Sequence, residues 1–448
     1  MGAAGLTLDL YHIDSAYVAW RAGLNAAATF DLYARSHPFG GGYLLTAGLE
    51  PAVGFALSFG YDDDDIGWLA GIKDYAADFL ASLRGIRFNG EIAAMPEGTV
   101  AFAGEPLLRV TAPLREALLL ESGMLHEVNL STLIATKAAR VVGAARGKPV
   151  AEFGLRRAHE PYTAVRSAWI GGCASTSFLD AARRYAIPAT GTIPHALVQA
   201  FPTEEDAFRA VAETLPEFTL LLDTYDVERA LHTAVAVARD AEQRHGHRLT
   251  AVRLDSGDLA AQARMCRRVL DDAGLAGVRI LASGDLDEFR IHELLEQDPP
   301  IDAFGVGTAM AVGAGSAALG VDGGSLASVY KLVWYGDERA AIKKAGEKST
   351  WPGRKRVWRV GSFEHDVLAL VDEPAPDGAR ELLEVVVTEG TLLDELPTHH
   401  EARALAAEQL DRLPERYRRP IDPDPYPVER SRHLRALRDA ALVEHGLD

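Results

Sequence analysis

The sequence has few cysteines and no long apolar run. Of its 448 residues only Cys173 and Cys266 are cysteine, and they form neither a CxxC pair nor a disulfide framework. This usage is typical of a reducing compartment, so we predict a cytoplasmic protein. No stretch approaches about 18 uninterrupted apolar residues, the length that a membrane span needs. The N-terminus has no basic segment followed by an apolar one, so no secretory signal is expected either.

Positive charge is also in short supply. Lys and Arg number 46 against 64 Asp and Glu, which gives a formal net charge of −18 at pH 7. This balance argues against a nucleic-acid-binding surface or an anionic membrane surface, while leaving room for a local basic pocket. The composition, 48% hydrophobic and 25% charged, is that of an ordinary globular protein. A chain of this length exceeds a single core, so two or three lobes are expected.

Two kinds of cofactor motif are missing. No GxGxxG run stands between a strand and a helix, which argues against a Rossmann oxidoreductase. The 14 histidines show no zinc-ligand spacing.

The order of the elements predicts an α/β protein with an additional α+β lobe. Alternating segments over residues 88–110 predict an antiparallel sheet, and residues 114–146 read as helical. A barrel-like domain of about seven parallel strands follows from strand candidates at Val150–Phe153, Trp169–Gly171, Ala189–Gly191, Thr219–Leu222, Ala251–Leu254, Arg279–Ala282 and Asp302–Val306. The predicted domains are an N-terminal lobe at 1–113, completed by 326–395, a barrel at 114–325 and a helical C-terminal segment at 396–448.

Polar residues cluster where three successive strand candidates end. The runs AVRLDSGDL, VRILASGDLDE and IDAFGVGT are separated by roughly 25 residues, the length of a strand–helix unit. The carboxyl ends of parallel strands meet at one edge of a sheet, where such folds place their chemistry. Carboxylates suit ribose hydroxyls or a metal, and bare amides suit a phosphate. The loops Asp255-Ser256-Gly257-Asp258, Ser283-Gly284-Asp285 and Gly305-Val306-Gly307-Thr308 therefore predict a phosphorylated sugar as ligand.

Other strand ends carry aromatic, basic and imidazole groups. Phe153, followed by Arg156 and Arg157, offers a flat face and two guanidiniums for a carboxylate or phosphate, or else a core ring beside ordinary ion pairs. His195, after Gly-Thr-Ile-Pro, is a base, a nucleophile or a hydrogen-bonded loop residue. In the loop Asp223-Thr224-Tyr225-Asp226, either carboxylate serves a ribose or Mg²⁺, or else Asp226 caps a helix.

Taken in order, these motifs resemble the nicotinate phosphoribosyltransferase family. The resemblance runs from about residue 8 to about residue 359. One of the motifs alone would be weak, but the whole ordered set is specific. The matching runs are LDLY, PFGGGY, TLIATKAAR, EFGLRR, GGC, GTIPH, LLDTYD, RLDSGDL, ASGDLDE, FGVGT and VYKL.

The resemblance implies a type II phosphoribosyltransferase of NAD salvage. Its expected fold is an open-faced antiparallel α+β lobe with an irregular α/β barrel, and its expected state is a homodimer with active sites shared between subunits. The implied reaction forms nicotinate mononucleotide and diphosphate from nicotinate and 5-phosphoribosyl 1-diphosphate. The resemblance also implies Mg²⁺ as cofactor and ATP as co-substrate, acting through a phosphohistidine.

The resemblance also assigns roles by matching motif. Tyr11, from the neighbouring chain, and Phe153 would stack on the pyridine ring. The other substrate-binding residues are Thr192 and Arg253 for nicotinate, Arg156 and Arg157 for the same pocket or the pyrophosphate, Gly284 for the ribose and diphosphate, and Gly305, Gly307 and Thr308 for the 5-phosphate. Ser256 and Gly257 are also implied to bind substrate. The catalytic assignments are His195 as the phosphohistidine, with Asp255 and Asp285 facing the ribose and diphosphate.

Three other enzyme activities are compatible with parts of the sequence. Nicotinamide phosphoribosyltransferase shares the architecture and the histidine, but the runs PFGGGY and GLRR favour the acid substrate. Quinolinate phosphoribosyltransferase fits less well because that relative has a much shorter chain and uses no ATP. A phosphosugar lyase or isomerase barrel would need a Schiff-base lysine or a paired base at a strand end, and Lys331 is the late-strand lysine to check.

Overall fold

The computed structural model describes residues 4–337, 339–344 and 349–446. The chain divides into two compact units: one comprises the residues up to Thr136 and those from Ser325 onward, and the other comprises Lys137–Gly324. The predicted barrel begins earlier, at residue 114, and the predicted C-terminal segment begins at residue 396. The first stretch contains, besides a 3₁₀ turn at Pro38–Gly40, α1 Leu10–Arg21, β1 Ala27–Ala34, β2 Leu44–Leu45, α2 Leu49–Ser58, α3 Asp63–Ile72, α4 Ala77–Arg84, β3 Glu91–Ala94, β4 Val100–Ala101, β5 Pro106–Pro113, α5 Leu114–Leu119 and α6 Glu121–Ala144.

The middle stretch alternates strands and helices, as the spacing of its apolar runs predicts. Its elements, besides a 3₁₀ turn at Ala317–Leu319, are β6 Val150–Glu152, α7 Pro161–Ile170, β7 Ser175–Thr176, α8 Leu179–Tyr185, α9 His195–Gln199, α10 Glu204–Thr214, β8 Glu217–Leu221, α11 Val227–His245, β9 Arg248–Leu254, α12 Leu259–Asp272, β10 Arg279–Ala282, α13 Glu288–Leu295, β11 Ala303–Val306 and α14 Thr308–Ala311.

The last stretch is rich in strands before it becomes helical. Its elements are β12 Ser328–Tyr335, β13 Arg339–Ala340, β14 Lys355–Val360, β15 His365–Leu370, β16 Ala379–Glu381, β17 Glu384–Thr388, β18 Thr391–Leu392, α15 His399–Arg412, α16 Glu415–Arg418, β19 Val428–Arg430 and α17 Arg432–Glu444. Strand β19 lies within the predicted helical segment and pairs in parallel with β15.

The first unit is built mainly on antiparallel strand pairs. Its largest sheet has the order β13-β12-β1-β5-β3-β17-β18, and β12 pairs with β1 although the middle unit separates them in sequence. Both faces of β1 are covered: Phe30 and Leu32 are buried, and so is Asp31, whose carboxylate lies 2.8 Å from the Nζ of buried Lys355. A buried carboxylate is tolerated because this lysine pairs with it.

The second unit contains the parallel sheet. Its strand order is β7-β6-β11-β10-β9-β8, and all its pairs are parallel. The sheet is curled into a half-barrel. The carboxyl ends of β6, β9, β10 and β11 therefore lie along one edge. The acids that follow strand ends also begin helices, because Asp226, Asp258 and Asp287 accept hydrogen bonds from the first-turn N–H groups of α11, α12 and α13.

The sheet differs from the predicted seven strands at two places. Trp169–Gly171 is not a strand, because α7 continues to Ile170; a proline begins this helix, and Ala164, Val165 and Ala168 are buried at helical spacing. The strand beside β6 is instead β7, a short segment that follows α7. Ala189 forms only an isolated bridge with Thr176. Within the described residues the parallel sheet thus has six strands.

Candidate active site

Two hollows meet at the carboxyl edge of the parallel sheet. One has a volume of about 670 Å³ and the other of about 410 Å³. Four side chains line both: Phe153 and Arg156 after β6, and Arg253 and Asp255 at the end of β9. The larger hollow adds Thr192 and His195. The smaller one adds Arg157, Ser283, Gly284, Asp285, Gly305, Gly307 and Thr308. A ligand with a ring and a phosphorylated sugar has room to span both.

Arg253 connects the two hollows. Its Nε donates to the Oγ of Ser283 at 2.8 Å, one Nη to the Oγ1 of Thr192 at 2.9 Å and the other to the Oδ1 of Asp255 at 2.5 Å. The guanidinium carbon lies 5.9 Å from the centre of the Phe153 ring. A planar fork held at three points and facing an aromatic ring presents a fixed positive charge beside a flat apolar surface.

Asp255 is held in its ionised form. Burial opposes ionisation, but hydrogen bonds from Ser283 and Arg253, together with the charge of Arg253, keep the pKa of Asp255 below its ordinary value. The Oγ of Ser283 lies 2.5 Å from Oδ1 of Asp255, and its own position is fixed by β10. The edge between the hollows therefore carries a carboxylate at neutral pH.

Phe153 lies directly on the end of β11. A Cβ placed on Gly305 would be only 2.4 Å from the Phe153 ring, so glycine is required for the ring to lie there. The N–H of Phe153 donates to the carbonyl of Val306 at 2.8 Å, which continues the β6–β11 pairing past the end of β6. Backbone bonding and side-chain packing thus fix the aromatic face.

His195 is the first residue of α9 and lines the larger hollow. Its Nδ1 lies 3.1 Å from the Oγ1 of Thr224, in the loop after β8. Its Nε2 lies 3.9 Å from Oδ2 of Asp255, and the imidazole is 40% exposed. One ring nitrogen is therefore fixed by a hydroxyl, while the other faces the carboxylate at the shared edge.

The loop after β10 adopts a backbone conformation that favours glycine. Gly284 has φ +91°, and a Cβ there would lie 1.8 Å from the carbonyl oxygen of Asp255. The next residue, Asp285, has φ 46°, which is uncommon for a residue with a side chain. The two loops that carry Asp255 and Asp285 therefore touch backbone to backbone, and both line the smaller hollow.

Comparison with known proteins gives close relatives over nearly the whole chain. A nicotinate phosphoribosyltransferase of Mycobacterium tuberculosis is 41% identical over 416 residues, covering 91% of this chain and 87% of the relative. The chain belongs to the nicotinate phosphoribosyltransferase family. A nicotinate phosphoribosyltransferase of Bacillus subtilis is 38% identical, covering 95% of this chain and 92% of that protein. The nicotinate phosphoribosyltransferase (NAPRTase) N-terminal and C-terminal domain families match residues 6–129 and 374–438.

A solved structure agrees with this membership of the nicotinate phosphoribosyltransferase family. The crystal structure of human nicotinic acid phosphoribosyltransferase matches with a TM-score of 0.85 at 32% identity. The match covers 97% of this chain and 99% of the human one. The suspected family and the mixed α/β fold are therefore confirmed.

Most of the site residues predicted for a nicotinate phosphoribosyltransferase line the two hollows, but Tyr11, Ser256 and Gly257 do not. Tyr11 lies in the first unit, on α1, and is 54% exposed. Ser256 donates to Oδ2 of Asp223 at 2.5 Å, and Gly257 has φ +81° in the same loop. Lys331, the lysine of the lyase alternative, lies on β12 of the first unit, and its Nζ donates to the carbonyl of Tyr330.

Several residues that organise the candidate site were not predicted from the sequence. Thr224 and Ser283 belong to motifs that were recognised, but their contacts with His195 and Arg253 depend on the fold. Glu152 also escaped notice, although a carboxylate that ends a wholly apolar strand is a signal in itself. Glu152 is 1% exposed and lies directly before Phe153.

In the part of the chain that the structure describes, no group of three or more His, Cys, Asp or Glu side chains is arranged to bind a metal ion. In the same residues, no helix has the length and apolar character needed to cross a bilayer. Cys173 and Cys266 are buried and form no disulfide.

Proposed function

We propose that this chain catalyses the formation of nicotinate mononucleotide and diphosphate from nicotinate and 5-phosphoribosyl 1-diphosphate, in NAD salvage. Family membership over nearly the full length supports the reaction. The observation that carries the substrate assignment is Arg253, a cation held at three points beside the Phe153 ring. Nicotinate is a flat aromatic anion, so it needs this combination of a ring face and a guanidinium. Buried cysteines without a disulfide accord with action in the cytoplasm.

The larger hollow is proposed to hold nicotinate. Phe153 would cover one face of the pyridine ring, and Thr192 and Arg253 would bind its carboxylate, with Arg156 at the mouth. Each of these four residues lines this hollow. We propose a homodimer with shared sites, in which Tyr11 of a second subunit, an exposed residue of α1, would cover the other face.

The smaller hollow is proposed to hold the phosphorylated sugar. The two aspartates, Asp255 and Asp285, would accept hydrogen bonds from ribose hydroxyls, and the glycine-rich end of β11 would leave backbone amides open to the 5-phosphate. Other residues proposed to contact the sugar diphosphate are Arg157, Ser256, Gly257, Gly284, Gly305, Gly307 and Thr308. A Schiff-base alternative has less support, because the described lining of both hollows contains no lysine.

The bond-forming step needs no general base. The pyridine nitrogen carries a lone pair that attacks C1 of the sugar, while the bond from C1 to the diphosphate oxygen breaks and its electron pair leaves with the diphosphate. Positive charge develops on the sugar as this happens. The ionised Asp255, held by Ser283 and Arg253, would stabilise that charge through a preorganised contact.

We propose that Mg²⁺ accompanies the diphosphate. The residues fit this ion: Asp223, which accepts from Ser256, has a buried Oδ1 without a hydrogen-bond partner among the described residues, and Asp255 and Asp285 line the smaller hollow. Mg²⁺ commonly takes only one or two carboxylates and completes its shell with water and substrate phosphates, so the lack of a three-residue cage is no obstacle. When bound, the ion would neutralise charge on the departing diphosphate.

We propose that ATP phosphorylates His195. A neutral imidazole nitrogen attacks the γ-phosphorus, ADP leaves, and later hydrolysis of the phosphohistidine drives nucleotide synthesis. Thr224, at Nδ1, would orient the ring for this step.

The test compares the native protein with His195→Ala. Nicotinate mononucleotide formation is measured with nicotinate, 5-phosphoribosyl 1-diphosphate and Mg²⁺, with and without ATP, in single-turnover and steady-state assays. ATP stimulation that vanishes in the variant, while a slow basal reaction survives, is the expected result. Equal rates with and without ATP in both proteins would reduce His195 to a binding residue. A parallel assay replaces nicotinate by nicotinamide, and the substrate assignment fails if nicotinamide reacts and nicotinate does not.

A further inference from the structure

Glu152 is a buried carboxylate at the carboxyl end of β6. It is 1% exposed, and no lysine, arginine or histidine among the described residues forms an ion pair with it. Burial raises the pKa of Glu152, while hydrogen bonds from Thr176 and Gly154 act in the opposite direction. Placing a carboxylate in a core without a cation is costly, so a neutral side chain would serve stability better. The hydrogen bonds of the Glu152 carboxylate therefore indicate a role other than stability.

The two carboxylate oxygens hold two different segments. Oε1 accepts from the N–H of Gly154 at 2.5 Å, and Oε2 accepts from the Oγ1 of Thr176 at 2.6 Å. Thr176 belongs to β7, which neighbours β6, and its Oγ1 also accepts from the N–H of Phe178 at 3.1 Å. The side chain of Glu152 therefore ties the turn after β6 to the segment after β7.

Phe153 lies within the turn that Glu152 closes. Gly154 packs closely against α14 and the residue that precedes it: a Cβ on Gly154 would lie 2.3 Å from the Cβ of Ala311 and 3.1 Å from the carbonyl oxygen of Gly307. The Phe153 ring itself lies across Gly305. A shift of the Gly154 N–H would thus rotate the backbone that carries the Phe153 ring.

We propose that Glu152 is a positioning residue for nicotinate binding. By accepting hydrogen bonds from the Gly154 N–H and the Thr176 hydroxyl, it holds the Phe153 ring in a fixed position beside Arg253. The inference rests on the proposed function. It also makes a selective claim, because Gly305 and Val306, at the proposed phosphate-binding end of β11, are held by backbone pairing with β6, which does not use the Glu152 side chain. Loss of the carboxylate should weaken use of nicotinate more than use of the sugar diphosphate.

The experiment measures KM for each substrate and kcat in the native protein, Glu152→Gln and Glu152→Ala. Glutamine keeps one oxygen for the Gly154 N–H, but its NH2 cannot accept from the Thr176 hydroxyl and can only donate to Oγ1, which already accepts from the Phe178 N–H. Alanine loses both contacts. We expect the KM for nicotinate to rise in the order native, Gln, Ala, reaching about tenfold for Ala, with the KM for 5-phosphoribosyl 1-diphosphate changed by less than about twofold.

Matched variants separate positioning from a general loss of stability. Thr176→Ser keeps the hydroxyl and should behave as the native protein, whereas Thr176→Val should reproduce the Gln phenotype. Glu288 is a buried carboxylate of the same unit that pairs with Lys137 and Arg140 and lines neither hollow. Glu288→Gln should lower the melting temperature without a selective rise in the nicotinate KM.

The possible outcomes are distinguishable. If the native protein forms no nicotinate mononucleotide, the proposed function has failed and the inference falls with it. If the native protein is active and the Glu152 variants raise both KM values equally, or raise neither while remaining folded, the positioning role is wrong and the proposed function stands. Should Glu152→Ala fail to fold, the Gln and Thr176→Val variants decide the question alone.

Discussion

Arg253 makes its three hydrogen bonds through three different nitrogens, and this geometry depends on the planar guanidinium. A lysine at this position would place one ammonium where the fork now reaches Ser283, Thr192 and Asp255, so it could not bind all three. We predict that Arg253→Lys lowers kcat/KM for nicotinate about 100-fold, since displacement of a positioned cation commonly costs that much. Steady-state kinetics with varied nicotinate measures this.

A control for Arg253→Lys is available in the same sheet. Arg279 is exposed at the first residue of β10, at the opposite end of its strand from the site. Arg279→Lys should leave kcat/KM unchanged within about twofold, because exposed charges contribute little. Retention of native kcat/KM by Arg253→Lys would show that a point charge suffices there, which would remove the main support for a fork-bound carboxylate.

At the scale of secondary structure, Asp226 caps a helix. Its side chain accepts from the N–H of Arg229 at 2.8 Å and begins the 19-residue α11. We predict that Asp226→Ala lowers the free energy of unfolding by about 1 kcal/mol, because the first turn of α11 loses its acceptor. Denaturant unfolding of Asp226→Ala and Asp226→Asn measures this, and the Asn variant should be close to native. A loss of activity in a fully folded Asp226→Asn protein would instead indicate a substrate contact.

The elements also show what the sequence could predict. Residues at the ends of β6, β9, β10 and β11 were predicted to meet because parallel strands share a carboxyl edge, and this follows from topology alone. The run at Trp169–Gly171 was mistaken for a strand because a short apolar run fits both a strand and a helix, and only the spacing of buried residues in α7 distinguishes them. The contact between Thr224 and His195 spans 29 residues and has no local signal.

At the scale of the whole molecule, a buried acid in the first unit links stability to pH. Glu105 is fully buried beside Asp366, with the charges of Arg359 and Arg430 nearby. Burial first, and then the negative charge of Asp366, raise the pKa of Glu105 well above its ordinary value of 4.5. Its Oε2 accepts from the N–H of Phe102 at 2.8 Å.

The direction of the pH effect follows from proton binding. Above pH 4.5 the unfolded chain loses the Glu105 proton while the folded chain keeps it, so the unfolded state binds fewer protons and stability falls as pH rises. Glu105→Gln imitates the protonated acid and removes this dependence. We predict that the melting temperature of the variant exceeds the native value by a margin that grows from pH 5 to pH 8, as measured by calorimetry at several pH values. A margin that shrinks over that range would contradict a raised pKa.

The proposed sharing of active sites between subunits predicts the activity of mixtures of two defective variants. If Tyr11 acts on the site of the neighbouring chain, a heterodimer of Tyr11→Ala and His195→Ala subunits contains one site in which both residues are native and one in which both are altered. Random reassociation makes half of the dimers mixed, so ATP-stimulated activity should return to about a quarter of the native level. Tyr11 is 54% exposed on α1, so its replacement should leave the subunit folded. The measurement is nicotinate mononucleotide formation after mixing, dissociation and reassociation. Each variant alone is the control, and an absence of recovery in verified mixed dimers would place Tyr11 in its own subunit's site.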